Sequence, residues 1–237
     1  MRIEKKLIST YISKEKFPHA QLVALGLVAF CWIASSFYWN ATGALADQLR
    51  AEYESVFQQK EYWRLLTTTF IHADLKHLLS NSMMLGILSY FVYGFFGVGV
   101  LFLLLLVGSP VVNALTLMEY GPGHSLVGIS GVVYMLWGHW LFMYLVIDRK
   151  WSFPRRLINV TGIFLILLVP TQYVPNTSYL AHYAGFGVGA VASVLSYPFF
   201  AKEIDQHLEW DIRFIPDQSE ETVLDQALHC RTVCTKT

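Results

Sequence analysis

A chain of 237 residues that is 54% hydrophobic, only 14% charged and of mean hydropathy +0.44 does not read as an ordinary soluble domain, where about 25% of residues carry charge. The formal net charge of +0 gives no basic surface for nucleic acid. Cys31, Cys230 and Cys234 are too few and too dispersed for a disulfide framework.

The N-terminal segment, 1–20, is basic. Beyond it, residues 21–46, 77–118, 120–147 and 157–201 contain no Lys, Arg, Asp or Glu. About 20 apolar residues suffice to cross a bilayer as helix, so the longer runs hold two crossings each. Six spans are expected, near 21–39, 77–96, 98–118, 126–147, 157–174 and 179–200, in an all-α six-transmembrane-helix domain covering 21–200. "ALA" at 44–46 resembles a signal-peptidase site, but the apolar run before it is longer than the roughly 7–15 residues of a cleaved signal. The first span is therefore read as uncleaved. Between spans one and two lies a long loop, 40–76, whose "ADQLRAEYESVFQQKEYWRLL" reads as an amphipathic helix along the membrane interface. "GFFGVG", "EYGPGHS" and "TQYVPNTS" are turn signals between later spans. A tail, 201–237, ends in "HCRTVC", which lacks the second ligand pair of a structural zinc site, so no metal is expected. "NAT" at 40–42 and "NTS" at 176–178 match glycosylation sequons and are read as chance.

Thirteen Lys and Arg fall in the N-terminal segment, the loop between spans four and five, and the tail. Four (Arg50, Lys60, Arg64 and Lys76) fall on the other side. The excess of positive charge places both termini in the cytoplasm.

The polar residues within the spans then share a layer. Ser130 lies about four residues into the fourth span, roughly 6 Å down at 1.5 Å per residue. His182 enters the sixth span at similar depth, and His77 and Asn81 the second. Singly, each has a bland explanation: serine and glycine in membrane helices ordinarily serve close packing. Together they supply a nucleophile, Ser130, a general base, His182, and donors for a developing oxyanion in His77, Asn81 and the Ser130 backbone N–H. Tyr134, one turn beyond Ser130, is placed to stack on His182. Gly128, Gly131, Gly185 and Gly189 allow the fourth and sixth helices to approach. No Asp or Glu lies in any span, which leaves a dyad.

The motifs that carry this pattern are "EYWR" at 61–64, His72, His77 and Asn81 in HxxxxHxxxN spacing, "GISG" at 128–131 with Tyr134, and "AHYAGFGVG" at 181–189. In combination and order they resemble the rhomboid family of intramembrane serine proteases, over roughly 61–190. The resemblance implies Ser130 and His182 as the catalytic dyad and His77 and Asn81 as oxyanion contributors. It implies structural roles for Trp63 and Arg64 in the loop, and for His72 in organising loop and water. It further implies transmembrane-helix protein substrates with small residues at the cleavage site, no cofactor, and the basic six-span bacterial form. The protein would sit in the bacterial inner membrane with its active site facing outside.

Two other readings stay open. Family members with degraded dyads bind membrane-protein clients without cleaving them. A small transporter would show ionisable residues near the midplane and interrupted helices; Pro110 and Pro170 are candidate breaks. His139, deeper in the fourth span, is expected to serve packing or hydrogen bonding. A metalloprotease would need HExxH, which is absent.

Overall fold

Within a hydrocarbon layer a backbone can satisfy its polar groups only within its own helix or a closed barrel, and the charge-free stretches of this chain fold as helices. The computed structural model describes residues 2–42, 44–169 and 177–215. Its helices are α1 (Ala20–Asn40), α2 (Ala44–Leu49), α3 (Arg64–Phe70), α4 (Leu75–Leu103), α5 (Ser109–Tyr120), α6 (Ser130–Ile147), α7 (Phe153–Ile163) and α8 (Tyr179–Gln206). Among the described residues, four helical runs are long and apolar enough to cross a membrane: Ala20–Asn40, Leu75–Tyr120, Ser130–Ile147 and Tyr179–Gln206.

The second run, of 46 residues, would be about 69 Å long if straight, more than twice a ~30 Å hydrocarbon core. It reverses at Gly97, whose φ of 80° and ψ of 178° are non-helical. A Cβ there would also fall 2.8 Å from the Phe17 ring, so this corner accepts glycine alone. Pro110 does not end the helix it sits in. A π turn, Leu104–Gly108, precedes it and α5 continues to Tyr120, the local rewinding that a proline without an N–H imposes. Pro170 and residues 171–174, the expected end of the fifth span, lie outside the described residues, as do Cys230, Cys234 and Asn176 of the second sequon. The described part of that span is α7 and a π turn, Phe164–Leu168.

Contacts sort the helix ends into two groups. At one end, Gly94 O accepts from the backbone N–H of Lys16 (2.8 Å) and Phe17 (3.0 Å), the Tyr11 hydroxyl donates to Phe95 O (2.8 Å), and Arg149 pairs with Asp205 (2.8 Å). At the other, the Asn113 amide donates to Leu65 O (2.8 Å) and Thr69 Oγ1 (3.0 Å), Gly128 N–H donates to Thr68 O (3.0 Å), and Tyr120 Oη meets Ser178 Oγ at 2.9 Å.

Three expectations change. The all-α reading gains two small antiparallel ladders. β1 (Arg2–Ser9) pairs with β4 (Glu209–Ile215), and β2 (Ala51–Glu52) with β3 (Ser125–Leu126). The first forms because the chain before α1 and the chain after α8 emerge side by side, and Glu4–Arg213 and Lys6–Asp211 then face each other as opposite charges. Second, 46–66 is not one amphipathic helix: α2, β2 and a π turn, Glu54–Gln58, divide it. Tertiary bonds override helix propensity there. The buried Arg64 donates to the carbonyls of Asp47 and Arg50 and pairs with Glu61 at 2.6 Å. Thr67 Oγ1 donates to Leu49 O (3.2 Å), and Tyr53 N–H to His124 O (3.1 Å). Third, the fourth span starts as helix at Ser130, not at 126.

Arg64 is the knot of this segment. Arg64→Ala is expected to destabilise the protein by about 2–3 kcal/mol, because two carbonyls and a carboxylate lose a charged donor at once. The check is thermal unfolding in detergent; an unchanged melting temperature would show that the segment is held by other contacts.

Candidate active site

Ser130 is the first residue of α6, and the turn before it sets its position. Gly128 has φ 115°, and a Cβ on it would fall 2.6 Å from His77 Cε1, so this turn is closed to other residues. β3 and the bond from Gly128 N–H to Thr68 O tie the turn to the loop segment. The serine is thereby held at a helix start, where the first backbone N–H groups have no intrahelical acceptor and the helix dipole is positive. The sequence placed Ser130 four residues inside a helix; the irregular glycine turn moves the start down to it.

His182 lies in the first turn of α8, which Ser178 caps by accepting from Ala181 N–H (3.2 Å). Its ring stacks on Tyr134 with centroids 4.1 Å apart and planes 9° from parallel. That contact requires α6 and α8 to touch backbone to backbone. A Cβ on Gly185 would fall on the Gly131 carbonyl, one on Gly189 on the Met135 carbonyl, and one on Gly138 on the Phe186 carbonyl.

Ser130, Tyr134, His182 and Asn81 line one cavity of about 250 Å³, closed further by Met84, Trp137 and Leu168. Among the described residues no hydrogen bond joins Ser130 to His182; such bonds are often long in the unliganded state and tighten with substrate. Two buried nitrogens here have no hydrogen-bond partner among the described residues, Asn81 Nδ2 and His182 Nδ1. An unpaired buried donor is costly, and at a cavity wall it marks a place where a ligand's acceptor is received.

His77 is placed beside this group rather than on the cavity wall. Its ring packs on Gly128 and meets the His72 ring edge-on at 5.1 Å. Its backbone N–H is capped by Asp74 Oδ1 at 2.8 Å. His72 is fully buried. Its Nδ1 lies 3.1 Å from Ser35 Oγ, and its carbonyl accepts from the Trp39 indole at 2.7 Å, fastening the loop to α1. Burial, with His77 next, pushes the His72 pKa down to about 4. The folded protein thus binds fewer protons at this site than the unfolded chain, so stability present above pH 6.5 falls as pH drops from about 6.5 toward 4. Melting temperatures across that range should show this acid-side loss, and His72→Asn should reduce it; an identical profile in the variant would remove His72 as a contributor.

Trp63 is half-exposed, with the Arg64 guanidinium 5.2 Å from its ring centroid. His139 is buried edge-on against Phe96 (5.3 Å, 90°) with both ring nitrogens unpartnered among the described residues. Sequence reasoning did not find Ser80, Met84, Val133, Trp137, Leu167 or Leu168 as cavity residues. Trp137 had a signal, lying seven residues from Ser130 on the same helix face. Leu167 and Leu168 had none, in an unbroken aliphatic run.

Comparison with known proteins gives a consistent result. The family profile described as the rhomboid domain matches residues 59–199. RHOMBOID-like protein 4 of Arabidopsis thaliana is 29% identical over 142 residues, 57% of this chain and 34% of that protein. Rhomboid protease GlpG of Photorhabdus laumondii subsp. laumondii is 25% identical over 199 residues, 83% of this chain and 68% of that protein. The rhomboid protein YdcA of Bacillus subtilis (strain 168) is 31% identical over 173 residues, 72% and 85% of the two chains. The match spans about a third of the first of these plant relatives and 55% of a second, RHOMBOID-like protein 2.

Proposed function

Because the chain belongs to the rhomboid family, an integral membrane family whose members are generally intramembrane serine proteases, we propose that it is itself an endopeptidase that cleaves transmembrane segments of other membrane proteins with a Ser130–His182 dyad. The observation that carries this reading is the shared cavity. A nucleophile, an imidazole stacked on Tyr134 and an Asn81 amide nitrogen without a partner among the described residues all open onto it.

In the proposed reaction Ser130 Oγ attacks the scissile carbonyl carbon while His182 takes its proton. The oxyanion that forms accepts hydrogen bonds from the Ser130 backbone N–H and Asn81 Nδ2. His182 then returns the proton to the departing amine as the C–N bond breaks. Water, deprotonated by His182, hydrolyses the acyl-serine and restores both groups. His77, seated on Gly128, is assigned to this oxyanion side of the site, as a donor or as the support of the turn that presents the Ser130 N–H. His72, Trp63 and Arg64 hold the loop; Gly128, Gly131, Gly185 and Gly189 hold the backbone approach.

The proposed topology has six spans, 21–200 as the membrane domain, 1–20 and 201–237 cytoplasmic, and the cavity near the outer face of a bacterial inner membrane. The helix break at Gly97, the pairing of β1 with β4 and the thirteen-to-four division of basic residues support it. Substrates would be helices with small residues at the scissile bond.

The test is reconstitution with a model transmembrane substrate and detection of the two fragments; an intact substrate with a correctly folded protein would refute the reading. Asn81→Ala is expected to slow cleavage by roughly 100–1,000-fold, with the loss in kcat. An unchanged kcat would take Asn81 out of the oxyanion site.

A further inference from the structure

We infer that the β1–β4 ribbon is a membrane-surface anchor, its apolar face lying in the headgroup region of the leaflet on the side where β1 and β4 meet. In an antiparallel pair, residues directly opposite share a face. The register sets Ile3 opposite Phe214, Lys5 opposite Ile212 and Leu7 opposite Trp210 on one face, and Glu4 opposite Arg213 and Lys6 opposite Asp211 on the other, where Ile215 at the end of β4 is the one apolar residue of the paired positions. The ribbon is therefore amphipathic, with aliphatic and aromatic residues against paired charges.

Most of the apolar face is left bare by the described residues: Phe214 is 62% exposed, Ile3 54%, Trp210 52% and Ile212 50%, while Leu7 is half-buried. Such a two-stranded ribbon is marginal alone in water, and an uncovered apolar ribbon is an aggregation hazard. The cover is identified by continuity. β4 starts just after α8 ends at Gln206, and β1 joins α1 through residues 10–19, which include a 3-10 turn at Tyr11–Ser13 and the exposed Phe17. Phe199 on the last turns of α8 and Leu22 on the first turn of α1 are also exposed, so the helix ends that lead into the ribbon carry exposed apolar residues as the ribbon does.

The chemistry of the face fits that boundary. Trp210 is suited to the headgroup level, and Lys5 can lay its stem on the apolar surface with its ammonium at the phosphates. Trp151 and Phe153, at the same end of the molecule, are exposed too, and the Arg155 guanidinium sits 3.7 Å over the Trp151 ring. The expected depth is that of other interfacial amphipathic segments, roughly 5–10 Å into the headgroup and acyl boundary. The inference rests on the membrane placement of the helices and not on the chemistry of Ser130.

The test uses the full chain with Cys31→Ala, Cys230→Ser and Cys234→Ser, in lipid nanodiscs that leave both membrane faces open. A nitrobenzoxadiazole fluorophore is attached in turn at Ile212→Cys, Arg213→Cys, Ile3→Cys and Glu4→Cys. Labels at 212 and 3 are expected to be blue-shifted, quenched several-fold more by shallow nitroxide lipids, and protected from an aqueous quencher. Labels at 213 and 4 should behave oppositely. Equal aqueous quenching at all four sites would overturn the anchor. So would protection of 212 and 3 from both quenchers in discs holding two copies, which would make the ribbon a contact between chains. Cleavage of a model substrate by the same preparations reports separately on the proposed enzyme.

Discussion

Ser130→Ala is expected to lower the rate of transmembrane-substrate cleavage by about 10⁴–10⁶-fold, and His182→Ala by a comparable factor, with the double variant scarcely worse than either. Neither group does its part alone. A hydroxyl is a weak nucleophile at neutral pH without a base to take its proton, and the imidazole has no bond to attack without the hydroxyl. Residues that act as one unit lose their joint effect on the first removal. Losses that instead multiplied would mean that the two residues contribute independently, and the dyad would fail. Ser130 is half-buried at the start of α6 and makes no side-chain hydrogen bond among the described residues, so its truncation should leave the stability within about 0.5 kcal/mol of wild type. A folded, inactive protein is the expected outcome.

The second large effect concerns the seam between α6 and α8. Gly185→Val is expected to remove both activity and a substantial part of the stability. Overpacking a core costs typically about 1–3 kcal/mol when side chains can yield. Here the obstacle is the Gly131 carbonyl itself, and backbone in a packed helix yields least, so the loss should lie at or above the upper end. The displacement would fall on the residue after Ser130 and would separate His182 from Tyr134, whose rings stack at 4.1 Å. Gly187→Ala is the matched control. A Cβ there meets nothing within 4 Å, and alanine favours the helix by up to about 1 kcal/mol. Equal melting temperatures for Gly185→Val and Gly187→Ala would show that the seam is looser than its geometry implies.

How these features stand in the sequence differs from one to the next. The helices were legible because charge is excluded from them, and exclusion of charge is a property of each residue alone. The grouping of Ser130, Asn81, His182 and Tyr134 around one cavity followed from similar depth in neighbouring helices, a matter of counting residues along the chain. The start of α6 was not legible. It depends on the positive φ of Gly128, which answers to the His77 ring packed against it, and a glycine in sequence does not declare its dihedral. The segment 46–66 misled for the same kind of reason. Its apolar spacing suits a helix, but Arg64 takes up carbonyls that a helix would have used. The ribbon of β1 and β4 joins residues 200 or more positions apart, and neither strand carries a signal of its partner. Leu167 and Leu168 reach the cavity only because α7 lies beside α6, which an aliphatic run does not reveal.

The central claim is that Ser130 is the nucleophile, and covalent capture reads it most directly. The reconstituted protein is treated with a fluorophosphonate, which esterifies a serine that a neighbouring base activates, and the modified peptide is located by mass spectrometry. The account predicts a single adduct on Ser130, absent from Ser130→Ala and strongly reduced in His182→Ala. Labelling that persists undiminished in Ser130→Ala would place the nucleophile elsewhere and contradict it.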